Sequence, residues 1–158
     1  MARRSGNMVE WSLLALVILV LGAIFFRQVR VVQGQGELAA IRSTLGALRT
    51  ALVIDHLQRS IVHANTALPA PHSNPFELLK YTPANYLGEM NPQQARGAAP
   101  GNWVFDPECV CVGYLPLYDQ WFDSASVDPL AWFRVTGAPG PLQMVARERY
   151  FWQGQALE

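Results

Sequence analysis

The two cysteines of this chain are the residues that come closest to a chemical motif. Cys109 and Cys111 are separated by one residue. On a regular strand, two residues that far apart share a face with about 6.6–6.8 Å between them. A disulfide requires Cβ atoms about 3.5–4.5 Å apart, so an intrachain bond here would need a bulge. Three interpretations stay open: packed strand cysteines, a strained intrachain or an intersubunit disulfide, and a metal or redox site.

The histidines and the acidic residues fit no familiar metal-binding pattern. His56 and His63 are seven residues apart, whereas two ligands on one helix are normally four apart, and His72 lies in a Pro-rich segment. One loop carries three aspartates that could bind calcium: Asp119, Asp123 and Asp128. Their spacing does not match an EF-hand. With no nucleophile–base motif and no phosphate-binding loop either, we predict no catalytic, cofactor-binding or metal-binding residues, and no enzyme activity.

An uncharged apolar segment follows Glu10 and is the strongest structural signal. Trp11–Phe26 contains sixteen residues with no charge and one hydroxyl. As a helix it would be about 24 Å long, and Arg27–Val32 can extend it because arginine side chains reach the headgroup region of a bilayer about 30 Å thick. The sequence therefore predicts a transmembrane helix over residues 7–33. A cleaved secretory signal is the alternative, although no small-x-small cleavage site follows Phe26.

Two arginines and one carboxylate flank this segment at its start. Arg3 and Arg4 favour a cytoplasmic N-terminus by the positive-inside rule. A charge within a membrane costs roughly 2.5–3.5 kcal/mol on insertion scales. Glu10 could avoid that cost by pairing with Arg3, Arg4 or a neighbouring subunit's N-terminal amine, or by lying among the hydrated headgroups.

The next segment has the pattern of an amphipathic helix that continues the span over residues 34–66. Five apolar residues repeat at alternating spacings of three and four and share one stripe: Leu38, Ile41, Leu45, Leu48 and Leu52. Gly34 and Gly36 lie before the stripe. Since each glycine weakens a helix by roughly 1 kcal/mol relative to Ala, we expect a bend or local melting there.

The rest of the chain has loop and strand signals. Residues 67–102 are predicted to be a loop region with one short helix, Pro75–Lys80, capped by Asn74. Residues 103–158 are predicted to form an antiparallel sheet from four strand-like segments: Trp103–Phe105, Cys109–Leu115, Leu130–Val135 and Leu142–Trp152. Such a meander needs an apolar partner on one face. We therefore expect an α+β fold, with a long N-terminal helix packed against a C-terminal antiparallel β-meander of about four strands.

The order of these features resembles the type IV pilin and type II secretion pseudopilin family. The shared features are a short basic leader (residues 1–6) that ends in glycine, an acidic residue, an apolar-then-amphipathic helix and a C-terminal sheet. The resemblance implies cleavage between Gly6 and Asn7 by a prepilin peptidase, methylation of the new N-terminus, and an assembly role for Glu10. Asn7 stands where the family has Phe, and Glu10 would be the fourth mature residue instead of the fifth.

The resemblance implies a structural subunit rather than an enzyme. It would assemble with other pilin-like subunits, as a homo- or hetero-oligomer, into an envelope filament or a secretion machine. The chain would cross the bacterial inner membrane once, with its C-terminal domain in the periplasm or in the filament. The alternative is a non-assembling single-pass membrane protein whose periplasmic domain binds a protein partner. The formal net charge is zero, which gives no sign of a nucleic-acid partner.

Overall fold

The structure is a computed structural model that describes residues 3–62, 74–126, 128–137 and 142–157. The chain divides into two compact units, Met1–Glu37 and Leu38–Glu158. A single helix, α1 (Arg3–Val62), contributes residues to both units. Within the described residues, this is the one helix that is long and apolar enough to cross a membrane, judged by length and composition.

The first unit consists of the apolar part of α1. Its large side chains from Met8 to Phe26 are exposed, as Leu19 at 71% and Phe26 at 68% illustrate. The helix also includes Gly34 and Gly36, so the local melting expected there is wrong. A penalty of about 1 kcal/mol per glycine is smaller than the stabilisation of roughly 1.5–3 kcal/mol that each buried leucine of the following turns provides.

The second unit begins with the amphipathic stripe of α1, which packs beneath a sheet. All five stripe residues are at most 2% exposed and belong to one core cluster. Aromatic side chains of the sheet, including Trp103, Phe105 and Phe133, complete that cluster. The predicted α+β packing of helix against sheet is therefore confirmed.

Within the described residues, the second unit contains eight strands and one further α-helix. The strands are β1 (Tyr86–Glu89), β2 (Asn102–Asp106), β3 (Cys111–Leu115), β4 (Phe122–Ser124), β5 (Ala131–Thr136), β6 (Gln143–Ala146), β7 (Tyr150–Trp152) and β8 (Gln155–Ala156). The helix is α2 (Pro92–Arg96), and 3₁₀ turns span Pro75–Leu78 and Asp119–Trp121. The strands form a five-stranded sheet, in the order β1-β2-β3-β5-β6, and a three-stranded sheet, in the order β4-β7-β8.

The predicted meander is present, with additions that the sequence did not indicate. Strands β2, β3, β5 and β6 are antiparallel neighbours. Strand β1 lies parallel to β2 at one edge, which makes the sheet mixed. The last predicted segment is divided, because the charged residues 147–149 separate β6 from β7 and the latter joins the smaller sheet.

Asparagine caps fix two short helical elements. The Asn74 side chain accepts a hydrogen bond from the Phe76 amide at 3.1 Å, as predicted, although the helix it caps is a 3₁₀ turn that ends at Leu78. Helix α2 was not expected. Asn91 and Gln94 form a reciprocal capping box that starts it.

The outer face of the larger sheet carries a second apolar cluster, which we call the outer apolar cluster, and it leaves no space for a side chain at Gly113. Its buried members are Ala95, Val104, Cys111, Leu115, Leu130 and Trp132. Trp132 lies opposite Gly113 on the neighbouring strand and is 3% exposed. A Cβ atom at Gly113 would lie 2.6 Å from Cζ3 of that indole ring.

We expect Gly113→Ala to lower the free energy of unfolding by about 1–3 kcal/mol, because the packed ring must shift. Urea unfolding followed by tryptophan fluorescence would measure the change. Gly97→Ala is the control: the nearest atom to its Cβ is 3.5 Å away, so we expect a change within about 0.5 kcal/mol. Equal stability of the two variants would contradict the prediction.

Candidate functional site

Glu10 lies on the exposed apolar surface of the first unit. Together with Val9, Leu13, Leu14 and Val17 it lines a shallow groove of about 350 Å³. Among the side chains that the structure describes, none forms an ion pair with its carboxylate. A carboxylate surrounded by exposed apolar side chains can bind a cation that another molecule supplies, and the pairing is strongest where water is excluded.

The predicted processing residues lie in the same helix as Glu10. Gly6 and Asn7 are both within α1, and Asn7 precedes Glu10 by three residues, which is close to one helical turn. A cut after Gly6 would therefore create an ammonium group about one turn from the carboxylate. Positions three apart lie on the same side of a helix, so the new ammonium and the carboxylate would lie on one surface of the helix.

Cys109 and Cys111 are joined by an intrachain disulfide, with their Cα atoms 5.2 Å apart. The predicted strand Cys109–Leu115 begins instead at Cys111, so Cys109 lies in the preceding turn. Val110, between them, has a φ of 54°. This left-handed residue provides the local irregularity that an intrachain bond was expected to need, and no described cysteine is free.

The other candidate ligands that the structure describes do not come together in one site. His56 is partly buried on α1, whereas His63 and His72 lie outside the described residues. Asp119 and Asp123 are exposed, and Asp128 lies 3.4 Å from the guanidinium of Arg96. Among the described residues, no group of three or more His, Cys, Asp or Glu residues could hold a metal ion.

Sequence reasoning missed one polar cavity of about 400 Å³ in the second unit. Its lining comes from separate parts of the chain: Pro92, Arg96, Ser126, Asp128, Trp132, Arg147, Glu148 and Tyr150. The Tyr150 hydroxyl accepts a hydrogen bond from the Trp132 amide at 2.9 Å, and burial raises the pKa of Tyr150. Two arginines and two carboxylates balance in charge, so the cavity favours neither an anion nor a cation.

Two features of the described chain therefore carry chemistry: the Glu10 groove in the first unit and the Cys109–Cys111 bridge in the second. The first is a carboxylate on an apolar helix with no ion pair among the described side chains, and the second is a covalent bond that can be reduced. A scan against protein-family models and searches of the curated proteins and of the solved structures found no match for this chain.

Proposed function

We propose that this chain is a structural subunit, similar to pilins and pseudopilins, that assembles through its N-terminal helix. The product would be a cell-envelope filament or a type II secretion or type IV pilus machine. The observation that carries the proposal is an exposed apolar helix surface that bears one carboxylate, Glu10. In the later part of the same helix, the apolar stripe from Leu38 to Leu52 is buried in a folded domain.

The exposed surface of the first unit needs an apolar environment. From Met8 to Phe26, every residue except Gly22 is exposed. Covering one large apolar side chain is worth about 1.5–3 kcal/mol, and the segment carries more than ten of them. A bilayer, and then the matching helices of neighbouring subunits, would supply that cover.

Two observations support a position of the second unit outside the cytoplasm. Arg3 and Arg4 precede the apolar segment, and such residues stay on the cytoplasmic side. The Cys109–Cys111 disulfide is typical of oxidising compartments such as the periplasm. In this proposal the chain crosses the inner membrane once, and the domain of residues 38–158 lies in the periplasm or in the filament.

Glu10 provides the specific contact in this proposal. Its carboxylate would pair with the N-terminal ammonium of a neighbouring subunit after a prepilin peptidase has cut between Gly6 and Asn7 and the new N-terminus has been methylated. Methylation retains the positive charge, so the pair would persist inside an apolar helix bundle. The partners are other pilin-like subunits or further copies of this chain.

Processing is tested by the intact mass of the membrane-extracted chain, produced with and without a prepilin peptidase. We expect the peptidase to remove residues 1–6; loss of residues 1–5 would instead place Glu10 at the fifth mature position. A Gly6→Leu variant should keep its full length in both cases. Gly22→Ala is the matched control, because nothing lies within 4 Å of a Cβ at that position, and it should be processed like the parent.

The alternative function is a non-assembling single-pass membrane protein whose periplasmic domain binds a protein partner. Asn7 and the register of Glu10, which both depart from the pilin pattern, are the features that favour it. An unchanged full-length mass in the presence of the peptidase would support this alternative and argue against the assembling subunit.

A further inference from the structure

We propose that the Cys109–Cys111 bridge is a thiol-exchange site, which an external dithiol reduces through a mixed disulfide at Cys109. Reduction would relax the turn between β2 and β3. This inference concerns the second unit alone, and it holds whether or not the chain assembles through its N-terminal helix.

The bridge closes a small ring at the tip of a hairpin. Strands β2 and β3 are in register up to the pair Asp106 and Cys111, so residues 107–110 form a four-residue loop. The loop is held at both ends. The Glu108 amide donates to the Asp106 side chain at 3.0 Å, and the Val135 amide donates to the Val110 carbonyl at 3.1 Å.

The ring holds Val110 in an unfavourable backbone conformation. Its φ of 54° lies in the left-handed region, where a β-branched residue is a genuine outlier because its side chain collides with the backbone. The two bonded cysteines flank this residue, and their Cα atoms are 5.2 Å apart. Opening the ring would allow Val110 to return to a negative φ, so relief of backbone strain would favour reduction.

The two sulfur atoms differ in how accessible they are to an attacking thiolate. Cys111 is 0% exposed and belongs to the outer apolar cluster, together with Val104 and Trp132. Cys109 lies at the edge of that cluster and is only partly buried. An external thiolate therefore reaches Cys109 first, and Cys111 is the leaving group.

The exchange is balanced with a dithiol as the reductant. Its thiolate attacks Sγ of Cys109, a new sulfur–sulfur bond forms, and the electron pair of the old bond leaves on Sγ of Cys111, which takes a proton from water. That sulfur lies 3.3 Å from the Cys109 carbonyl oxygen, which can accept a hydrogen bond from the new thiol. The second thiol of the reductant then displaces Cys109, and the dithiol ends as a cyclic disulfide.

The first test compares the parent with two variants by the equilibrium constant for reduction of the bridge by dithiothreitol. The constant is measured on the full chain in detergent micelles by alkylation and intact mass. Val110→Gly removes the strain from the oxidised form, so we expect its bridge to be at least about fivefold harder to reduce than the parent's. Gln153→Gly is the matched control, since Gln153 also has a positive φ, 49°, but lies in the turn between β7 and β8. It should leave the constant unchanged.

The second test identifies the sulfur that is attacked. Oxidised glutathione is added to the Cys111→Ser and Cys109→Ser variants, each with one remaining thiol, and mixed-disulfide formation is timed by mass. We expect Cys109 to react at least about tenfold faster than the buried Cys111. Equal rates of mixed-disulfide formation at the two cysteines would overturn the proposal. So would a bridge that dithiothreitol reduces only after denaturation, or an equilibrium constant for reduction of Val110→Gly equal to the parent's.

Discussion

Glu10→Leu is expected to leave the chain in the membrane and to abolish its co-purification with a second, differently tagged copy or with partner subunits. The substitution removes a charge whose insertion costs roughly 2.5–3.5 kcal/mol, so the apolar helix should insert at least as well as before. It also removes the one carboxylate on the exposed apolar surface Met8–Phe26. Without it, a neighbour's N-terminal ammonium would have to be buried unpaired.

The size of that effect follows from the cost of an unpaired charge. Removing one partner of a buried ion pair is typically destabilising by about 3–5 kcal/mol, which is more than a hundredfold in association. The measurement is tandem-affinity purification from detergent-solubilised membranes, quantified by immunoblot with cross-linking before lysis.

Ser12→Leu is the control for Glu10→Leu. Ser12 lies on the same exposed helix, and its hydroxyl already donates to the Met8 carbonyl within the helix at 2.6 Å. Its replacement should therefore leave co-purification intact. If the Glu10→Leu variant were cross-linked to its partners as efficiently as the parent, the assembly role of Glu10 would be wrong.

Leu45→Ala is expected to destabilise the second unit by about 2–5 kcal/mol, because truncating a fully buried leucine leaves a cavity. Leu45 is 0% exposed and occupies the middle of the stripe of α1 that packs under the sheet. Natural domains are stable by about 5–15 kcal/mol, so this loss removes a large part of the total.

Leu57→Ala is the same substitution twelve residues further along α1, at a side chain that is 55% exposed. Helix propensity changes equally at both sites, so the difference between the two variants isolates burial. We expect Leu57→Ala to stay within about 0.5 kcal/mol of the parent. Urea unfolding in detergent, followed by tryptophan fluorescence, gives both values; equal losses would show that the stripe does not form the core.

The helix and the main sheet could be predicted because their patterns are local. The spacing of Leu38, Ile41, Leu45, Leu48 and Leu52 identifies one helix face without any knowledge of what covers it. The strands of the meander are bounded by proline, glycine and aspartate turns.

The strands and pairings that the sequence pattern did not predict depend on the tertiary structure. Strand β1 has four residues and contains Gly88 at a positive φ, so neither its alternation nor its composition marks it as a strand. The parallel pairing of β1 with β2, and the transfer of β7 to a second sheet, are decided by which edges are available in the folded domain.

The candidate sites show the same difference between local patterns and features of the folded domain. Gly6, Asn7 and Glu10 are close in sequence, so one short segment contains every residue of the processing and assembly hypothesis. Whether Cys109 and Cys111 can bond depends on where strand β3 begins. The strand begins two residues later than predicted, which changes the expected separation of the two cysteines. The cavity that Arg96 and Tyr150 help to line combines residues more than fifty positions apart, which no local pattern reveals.

The most direct test of the central claim, that residues 7–33 anchor this chain in a membrane, is alkaline carbonate extraction of membranes that contain it. We predict that the full chain remains in the membrane pellet and that a variant lacking residues 1–33 appears in the supernatant as a folded domain. Release of the full chain into the supernatant would contradict the claim. So would a soluble product whose mass shows cleavage after the apolar segment, because the segment would then be a secretory signal.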